Sequence, residues 1–173
     1  FKSMPEFEDV ENFPSESDNL PRIEMDLWEK MIFIINDKKC DIEELIGPMI
    51  ERLSWLPIEK FKYKPKLSRI YNVKANWALY CDNYLEGFHI PFVHKDLNQT
   101  LEYGEYFTEG IDNTVLQIGI GKGKENTFDL PKNHQDCGKN VAAYYFFLFP
   151  NMMFNFYPWG LSVNVVKPKS CLL

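Results

Sequence analysis

Two histidines and a glutamate within one short segment have the residue types and spacing to bind a metal ion. His89 and His94 lie five positions apart, and Glu86 lies three positions before the first of them. Imidazole is the commonest metal-ligating side chain near neutral pH. Two histidines and one carboxylate form the face that holds Fe(II) and leaves positions open for oxygen and substrate. The pattern therefore indicates an iron site, and ordinary packing of two histidines on a core helix is the alternative.

The element that carries these residues must be broken if both rings are to reach one ion. Residues five apart on an ideal helix point about 140° away from each other. Pro91 lies between the two histidines. Because proline removes a backbone donor and clashes with the preceding turn, we expect a helix over residues 76–88 to be followed by a kink or an end at Pro91. The break would bring His94 back toward His89, whose helix face Glu86 shares.

The wider segment, residues 76–94, resembles the iron-binding segment of the Rieske-type ring-hydroxylating oxygenases. It reads NWALYCDNYLEGFHIPFVH, and the pattern of that family is NW-K-x-x-x-(E/D)-N-x-x-(E/D)-x-(Y/F)-H-x-x-x-x-H. Ala78 replaces the usual lysine. The run from Cys81 to Glu86 is most similar to the choline monooxygenase branch, and the likeness returns at residues 149–160. The resemblance covers roughly residues 20 to 168.

The resemblance implies a role for each matching residue. His89 and His94 match the two iron-ligand histidines of the family. Glu86 and Asn83 are the candidate catalytic residues. Glu86 matches the acid that bridges toward the Rieske cluster of a neighbouring subunit and helps to pass electrons. Asn83 matches an asparagine near the iron.

The resemblance also implies two groups that have no match in this sequence. The third iron ligand of the family is an aspartate beyond the sheet; here Glu86, Asp82 and Asp96 are the alternatives. A Rieske cluster needs C-x-H and C-x-x-H, whereas the four cysteines are isolated: Cys40, Cys81, Cys137 and Cys171. We therefore expect the [2Fe-2S] cluster only in a full-length protein. The chain is interpreted as a catalytic-domain piece cut before its start, with truncation at the C-terminus left open.

The function implied by the resemblance is hydroxylation of a small organic substrate, either aromatic or quaternary ammonium, with O2 and mononuclear Fe(II). Electrons would come from a reductase or ferredoxin, and the full-length form would be a homotrimer. Whether one or two oxygen atoms are inserted stays open. We expect this piece alone to be inactive, with the two-histidine site empty or partly occupied. The alternatives are a helix-grip binding module without catalysis and a zinc hydrolase, which usually places H-E-x-x-H on one continuous helix.

Composition and charge narrow the remaining classes. The chain has 173 residues, of which 45% are hydrophobic and 16% aromatic, as expected for one globular domain. A net charge of −6 argues against nucleic acid as a partner. No apolar stretch nears the roughly 18 residues that a membrane span requires. Scattered cysteines without a disulfide framework favour a reduced, cytoplasmic setting.

The pattern of apolar residues predicts an α+β domain. Residues 1–22 are acidic and contain prolines, which indicates a linker or arm after an absent Rieske domain; residues 23–173 would be the partial catalytic domain. Strands are predicted at 28–36, 66–74, 101–108, 113–120, 141–149, 152–157 and 161–166. A helix over 42–54 would be capped by Asp41 and ended by Pro57. Residues 121–140 are predicted to form a flexible hairpin loop with an exposed His134.

Strands in mostly antiparallel order, with helices on one side, define the predicted fold class. The resemblance implies the helix-grip fold, in which a curved antiparallel sheet wraps a long helix around a ligand cavity. In the aromatic run 144–149, alternation predicts one set of side chains facing the core or cavity and the other facing out. An aromatic pocket there could hold a quaternary ammonium group by cation–π attraction.

Overall fold

The structure, a computed structural model, describes residues 3–35 and 41–169. The chain divides into two compact units, Phe1–Cys40 and Asp41–Leu173. The first contains a 3-10 turn at Glu16–Asp18 and an antiparallel hairpin of β1 (Glu24–Trp28) and β2 (Met31–Ile35).

The hairpin corrects the buried strand predicted over residues 28–36. Glu29 adopts a left-handed backbone conformation with φ of 56°, so the chain reverses at residues 29–30. Four of the five residues of β1 and two of the five residues of β2 are exposed, and Asn36 lies outside the described residues. The division predicted after residue 22 stays a prediction.

The second unit begins with α1 (Ile42–Arg52). The side chain of Asp41 accepts a hydrogen bond from the backbone N–H of Glu43 at 2.8 Å, which confirms the predicted cap. The buried residues of α1 recur every three or four positions: Ile42, Leu45, Ile46 and Met49. The helix ends at Arg52, two residues before the predicted end at residue 54. There the Arg52 carbonyl accepts hydrogen bonds from the ring N–H groups of Trp55 and His134 instead of from a further helical turn.

A five-stranded antiparallel sheet forms most of the second unit, and its strands follow one another in chain order. They are β3 (Phe107–Ile111), β4 (Thr114–Ile120), β5 (Val141–Leu148), β6 (Met152–Tyr157) and β7 (Gly160–Val165). The predicted α+β class is therefore confirmed, as are the last four predicted strands to within one residue at each end. The strand predicted at 101–108 corresponds to β3, which begins only at Phe107. Before it, Leu101 forms an isolated β-bridge with Gly121, and Tyr103–Glu105 form a 3-10 turn.

Short helices connect α1 to the sheet. They are α2 (Trp77–Leu85), α3 (Ile90–Val93) and α4 (Lys95–Thr100), with 3-10 turns at Ile58–Lys60 and Pro65–Leu67. Asn76 caps α2, since its side chain accepts from the Ala78 N–H at 2.9 Å. The strand predicted at 66–74 is wrong. Ile70 is 93% exposed, and none of the described strands pairs with this segment.

The two faces of the sheet are covered by different helices. Thr114 on β4 donates from its hydroxyl to the Leu45 carbonyl of α1 at 2.7 Å. The opposite face of the sheet carries Phe147 and Met153, which form a buried cluster with Cys81 of α2. The sheet is thus covered on both faces, where the sequence predicted helices on one side.

The same arrangement corrects the prediction for the aromatic run. Tyr144, Phe146 and Leu148 share the α1 face, and Tyr145 and Phe147 share the α2 face, as the strand register requires. All five are buried. No set of these five side chains faces solvent.

A buried ion-pair cluster ties α1 to the long connection between β4 and β5. The guanidinium of Arg52 donates to Asp136 at 2.7 Å and to Glu109 at 2.5 Å. Lys139 and Tyr144 each donate to the Asp136 carboxylate at 3.0 Å. Residues 121–140, which were predicted to form a flexible loop, are therefore attached to α1 and to β5 through Asp136.

The exposed position predicted for His134 is also wrong, since its side chain is only 9% exposed. Its Nε2 donates to the Arg52 carbonyl at 3.0 Å, and its Nδ1 accepts from the Asp136 N–H at 3.1 Å. His134 thus caps the end of α1 by donating to the Arg52 carbonyl. The sequence gives no indication of this role, because His134 stands alone between polar residues.

Among the residues that the structure describes, no helix combines the length and the apolar character needed to cross a membrane.

The Asp136 cluster makes a prediction about acid stability. Burial opposes ionisation of Asp136, but hydrogen bonds from Lys139 and Tyr144 and the charge of Arg52 outweigh it and lower the pKa of this carboxyl. Its stabilising effect is full above the ordinary aspartate pKa of about 3.9 and is lost as pH falls through the lower folded value. We expect Asp136→Asn to lower the free energy of unfolding at pH 7, measured by urea denaturation, by about 3 kcal/mol. In this variant the free energy of unfolding should also decrease less as the pH is lowered into the acid range.

Asp129→Asn is the matched control, because Asp129 is exposed in the same connection. It should leave the free energy of unfolding and its pH dependence unchanged. If the free energy of unfolding falls equally steeply at acid pH in Asp136→Asn and in the unsubstituted chain, the role given to this carboxylate is wrong.

Candidate metal site

The chain leaves α2 at Glu86, earlier than the sequence predicted. Glu86 is extended, with φ of −105° and ψ of 145°. The next residue, Gly87, lies against the ring of Tyr106, so that an added Cβ would be 3.3 Å from Cε1. Pro91 does not make the break. It lies in the first turn of α3, where its missing N–H is not needed for the helix.

The two predicted ligand histidines nevertheless meet. The ring centroids of His89 and His94 are 4.9 Å apart, and the ring planes are inclined at 72°. His89 precedes the single turn of α3 and His94 follows it, with the His94 N–H donating to the Ile90 carbonyl at 3.1 Å. Two imidazoles this close are near enough to bind one ion. Their role as ligands stays a prediction.

The two candidate catalytic residues lie beside His89. Oε1 of Glu86 is 2.5 Å from Nδ1 of His89, and Oε2 accepts from the His89 backbone N–H at 3.2 Å. The Asn83 amide nitrogen donates to Oε1 of Glu86 at 3.1 Å and is 3.3 Å from Nδ1 of His89. Asn83, Glu86 and His89 thus form one hydrogen-bonded group at the end of α2.

This group fixes which nitrogen of His89 faces outward. An ionised carboxylate only accepts hydrogen bonds, so Nδ1 must carry a proton, and in the neutral ring Nε2 then keeps its lone pair. Desolvation tends to raise the pKa of the Glu86 carboxyl, but the hydrogen bonds from the His89 ring and from the N–H groups of Phe88 and His89 prevail and lower it. Metal-binding histidines are commonly held in this way by a carboxylate on the second nitrogen.

The chemistry of these donors fits the two-histidine part of a ferrous site. Among the described residues, no group of three or more histidine, cysteine, aspartate or glutamate side chains is placed to hold a metal ion. Both oxygens of Glu86 are already engaged with His89. Asp82 is exposed on α2, and Asp96 lines an open recess of about 480 Å³ together with Val93, His94 and Leu97.

A second hydrogen-bonded group, which the sequence analysis missed, holds α2 to the sheet. The Tyr106 hydroxyl donates to Oε1 of Gln117 at 3.0 Å, and Nε2 of Gln117 donates to the Tyr84 carbonyl at 2.9 Å. The Tyr84 hydroxyl donates to Oδ1 of Asn155 at 2.7 Å. The signal was present, because a glutamine and an asparagine inside otherwise apolar strands must find polar partners when buried.

Four tyrosines of this region stay uncharged. Burial is the main cause that raises the pKa of Tyr84, Tyr106 and Tyr145, and the neighbouring phenols add to it. Burial also raises the pKa of Tyr157, against a hydrogen bond from Tyr145 that lowers it. The Tyr157 ring stacks on Trp159 with centroids 4.7 Å apart and planes inclined by 5°. The surroundings of α2 are therefore rich in neutral aromatic rings.

Comparison with known proteins gives the family. Residues 53–171 match the family described as ring hydroxylating alpha subunit (catalytic domain). The chain belongs to this family. Of the ring-hydroxylating relatives, the chloroplastic choline monooxygenase of Arabidopsis thaliana is 28% identical over 175 residues, covering 92% of this chain and 39% of the relative. The carnitine monooxygenase oxygenase subunit of Escherichia coli (strain K12) is 25% identical over 162 residues, covering 92% of this chain and 41% of the relative.

Solved structures confirm the helix-grip-like fold expected for a ring-hydroxylating alpha subunit. A crystal structure of the quaternary ammonium Rieske monooxygenase CntA with an inhibitor matches with a TM-score of 0.66 at 20% identity, over 94% of this chain and 42% of that one. A second structure, described as a quaternary ammonium Rieske monooxygenase, matches with a TM-score of 0.65 at 23% identity. The match covers 93% of this chain and 43% of that one. The chain thus spans about two fifths of the relatives that it matches.

The contact between Gly87 and Tyr106 makes a prediction. In Gly87→Ala the new Cβ would lie 3.3 Å from the Tyr106 ring, so the ring or the turn must move. We expect a loss of about 1–2 kcal/mol in the free energy of unfolding, measured by urea denaturation.

Gly104→Ala is the control, since nothing lies within 4 Å of its added Cβ and its φ is not in the left-handed region. It should be neutral or slightly stabilising because alanine reduces the freedom of the unfolded chain. Equal losses in the two variants would mean that close approach at Gly87 is not the constraint.

Proposed function

We propose that this chain is the part of a Rieske non-haem iron oxygenase that holds the mononuclear Fe(II), in an enzyme that hydroxylates a quaternary ammonium compound with O2. The observation that carries the proposal is the convergence of Asn83, Glu86, His89 and His94 at the end of α2. The family membership and the names of the relatives support the same activity.

In this proposal each side chain has a defined task. Nε2 of His89 and the ring of His94 would hold the ion, which supplies the redox chemistry that activates O2 when it is bound. Glu86 keeps the proton of His89 on Nδ1, so the nitrogen that faces the ion stays a lone-pair donor. Asn83 holds the carboxylate of Glu86 in place. The third ligand, a carboxylate in the resemblance, is left unassigned.

The aromatic residues near α2 support a quaternary ammonium substrate. A trimethylammonium group has no N–H to donate, so its recognition depends on cation–π contacts and dispersion. Tyr145 on β5, Tyr157 on β6 and Trp159 in the turn after β6 supply neutral aromatic rings. The relatives are named for choline and carnitine, and both compounds contain this group. Their names as monooxygenases support insertion of a single oxygen atom.

The partners of the whole enzyme belong to the same proposal. Electrons would pass from a reductase or ferredoxin through a [2Fe-2S] Rieske cluster to the iron near Glu86. A homotrimer would bring that cluster from a neighbouring subunit, and one related structure is described in terms of inter-subunit electron transfer. A cytoplasmic setting is supported by the free thiols of Cys81 and Cys137. Residues 1–22 would be the arm that joins the Rieske domain to the catalytic domain.

A metal titration tests the proposed iron site. We expect the chain to bind Co(II), a spectroscopic substitute for Fe(II), weakly and in one equivalent, as measured by visible absorption. His89→Ala and His94→Ala should abolish the binding. Glu86→Gln should weaken it by about 10–100-fold, because the carboxylate no longer holds the tautomer of His89.

The control is His134→Gln, which removes the chain's other histidine. It should bind Co(II) as the unsubstituted chain does. Binding that depends on His134 rather than on His89 and His94 would overturn the proposal, and no Co(II) binding at all would favour the helix-grip binding module.

A ligand pair tests the substrate class. Choline and 3,3-dimethylbutan-1-ol have nearly the same shape, and only choline is charged. We expect choline to bind more tightly by about 0.5–2 kcal/mol for each aromatic contact, measured by NMR titration. Tyr157→Leu should remove most of this preference.

The control is Tyr63→Leu, since Tyr63 is an exposed tyrosine outside the sheet. The preference for choline should persist in that variant. Equal affinity for the charged and neutral compounds in the unsubstituted chain would argue against an aromatic site for a quaternary ammonium group.

A further inference from the structure

A row of polar side chains crosses the sheet on the face that α2 covers. Directly paired residues of the five strands form it: Thr108, Gln117, Tyr145, Asn155 and Ser162. The neighbouring row on the same face pairs Val115, Phe147 and Met153 and is apolar. The three middle members, Gln117, Tyr145 and Asn155, are buried. They need partners, because buried polar groups without hydrogen bonds are strongly unfavourable.

Two members of the row hold Tyr84 at its two ends. Gln117, which is 1% exposed, donates to the backbone carbonyl of Tyr84. Asn155 accepts from the Tyr84 hydroxyl. The Tyr84 carbonyl belongs to the last turn of α2, whose carbonyls lack a partner within the helix. Gln117 supplies that partner from β4.

Gln117 also reaches the turn that follows the helix. Its Oε1 accepts from the Tyr106 hydroxyl, and the ring of Tyr106 lies against Gly87. One side chain is therefore joined to the residue two positions before Glu86 and, through Tyr106, to the residue just after it. The backbone of Glu86 has little freedom between these two attachments.

We propose that Gln117 is a positioning residue for the His89 imidazole. By fixing Tyr84 and Tyr106 it sets the backbone of Glu86, and the carboxylate then meets Nδ1 of His89. Gln117 contacts neither histidine, and its role rests on the proposed function of His89. The position of the Glu86 carboxylate and the tautomer of His89 are properties of the metal-free chain, so both can be measured whether or not iron binds.

The tautomer of His89 tests the proposal. Long-range ¹⁵N–¹H correlation spectra of the metal-free chain at about pH 8, where free imidazole is neutral, report which ring nitrogen carries the proton. We expect Nδ1–H in the unsubstituted chain. In Gln117→Met, which keeps the volume and removes the hydrogen bonds, the ratio of Nε2–H to Nδ1–H should rise about fivefold.

Thr114→Val is the matched control. Thr114 lies on the same strand, is equally buried, and also donates to a helix carbonyl, but on the α1 face. It should lower the melting temperature without changing the tautomer ratio of His89. Tyr84→Phe removes the bond to Asn155 and keeps the bond from Gln117, so it should also leave the ratio unchanged.

The outcomes separate a positioning role from a purely structural one. An unchanged ratio in folded Gln117→Met, or an equal change in Thr114→Val, would overturn the proposal. If Gln117→Met does not fold, Tyr106→Phe decides, because it removes only the hydroxyl that Gln117 holds. A rise of about twofold in Tyr106→Phe supports the proposal, and no rise overturns it.

Discussion

The hydrogen bond between Glu86 and His89 is the constraint on which the candidate site depends. It links a residue just outside α2 to one just before α3, so it exists only if the chain turns sharply between the two helices. It also places a proton of His89 on Nδ1, so in the neutral ring the lone pair is on Nε2. The helices, the turn at Gly87 and the sheet behind them can all be understood as the means of holding this one contact.

The two faces of the sheet hold different helices by different polar contacts. On the α1 face, Arg52 and Asp136 join the helix to the long connection, and Thr114 joins it to β4. On the α2 face, Gln117 and Asn155 anchor the helix whose end is followed by Glu86 and His89. Because a strand alternates its side chains, Thr114 and Gln117 of β4 lie on opposite faces and each holds a different helix.

Much of this arrangement could be predicted from local sequence, and the part that could not has a physical reason. Asp41 as a helix cap and β4 to β7 as strands follow from spacing and turn residues. The meeting of His89 and His94 was predicted, but with the break at the wrong residue. Proline has a strong local signature, whereas Gly87 matters only because Tyr106, distant in sequence, lies against it.

The errors at His134 and at residues 66–74 also come from non-local contacts. His134 is buried because Arg52, far away in sequence, offers it a carbonyl. Residues 66–74 alternate like a strand, but a strand also needs a neighbour to pair with, and alternation does not encode one. For Gln117 the sequence gives half of the answer. A glutamine buried in an apolar strand must have a hydrogen-bond partner, but the sequence does not show which group that partner is. The amide nitrogen of Gln117 donates to the Tyr84 carbonyl at the end of α2, and its amide oxygen accepts from the Tyr106 hydroxyl. Both ends of the amide therefore have a partner, which explains why the strand carries a glutamine where another apolar residue would pack.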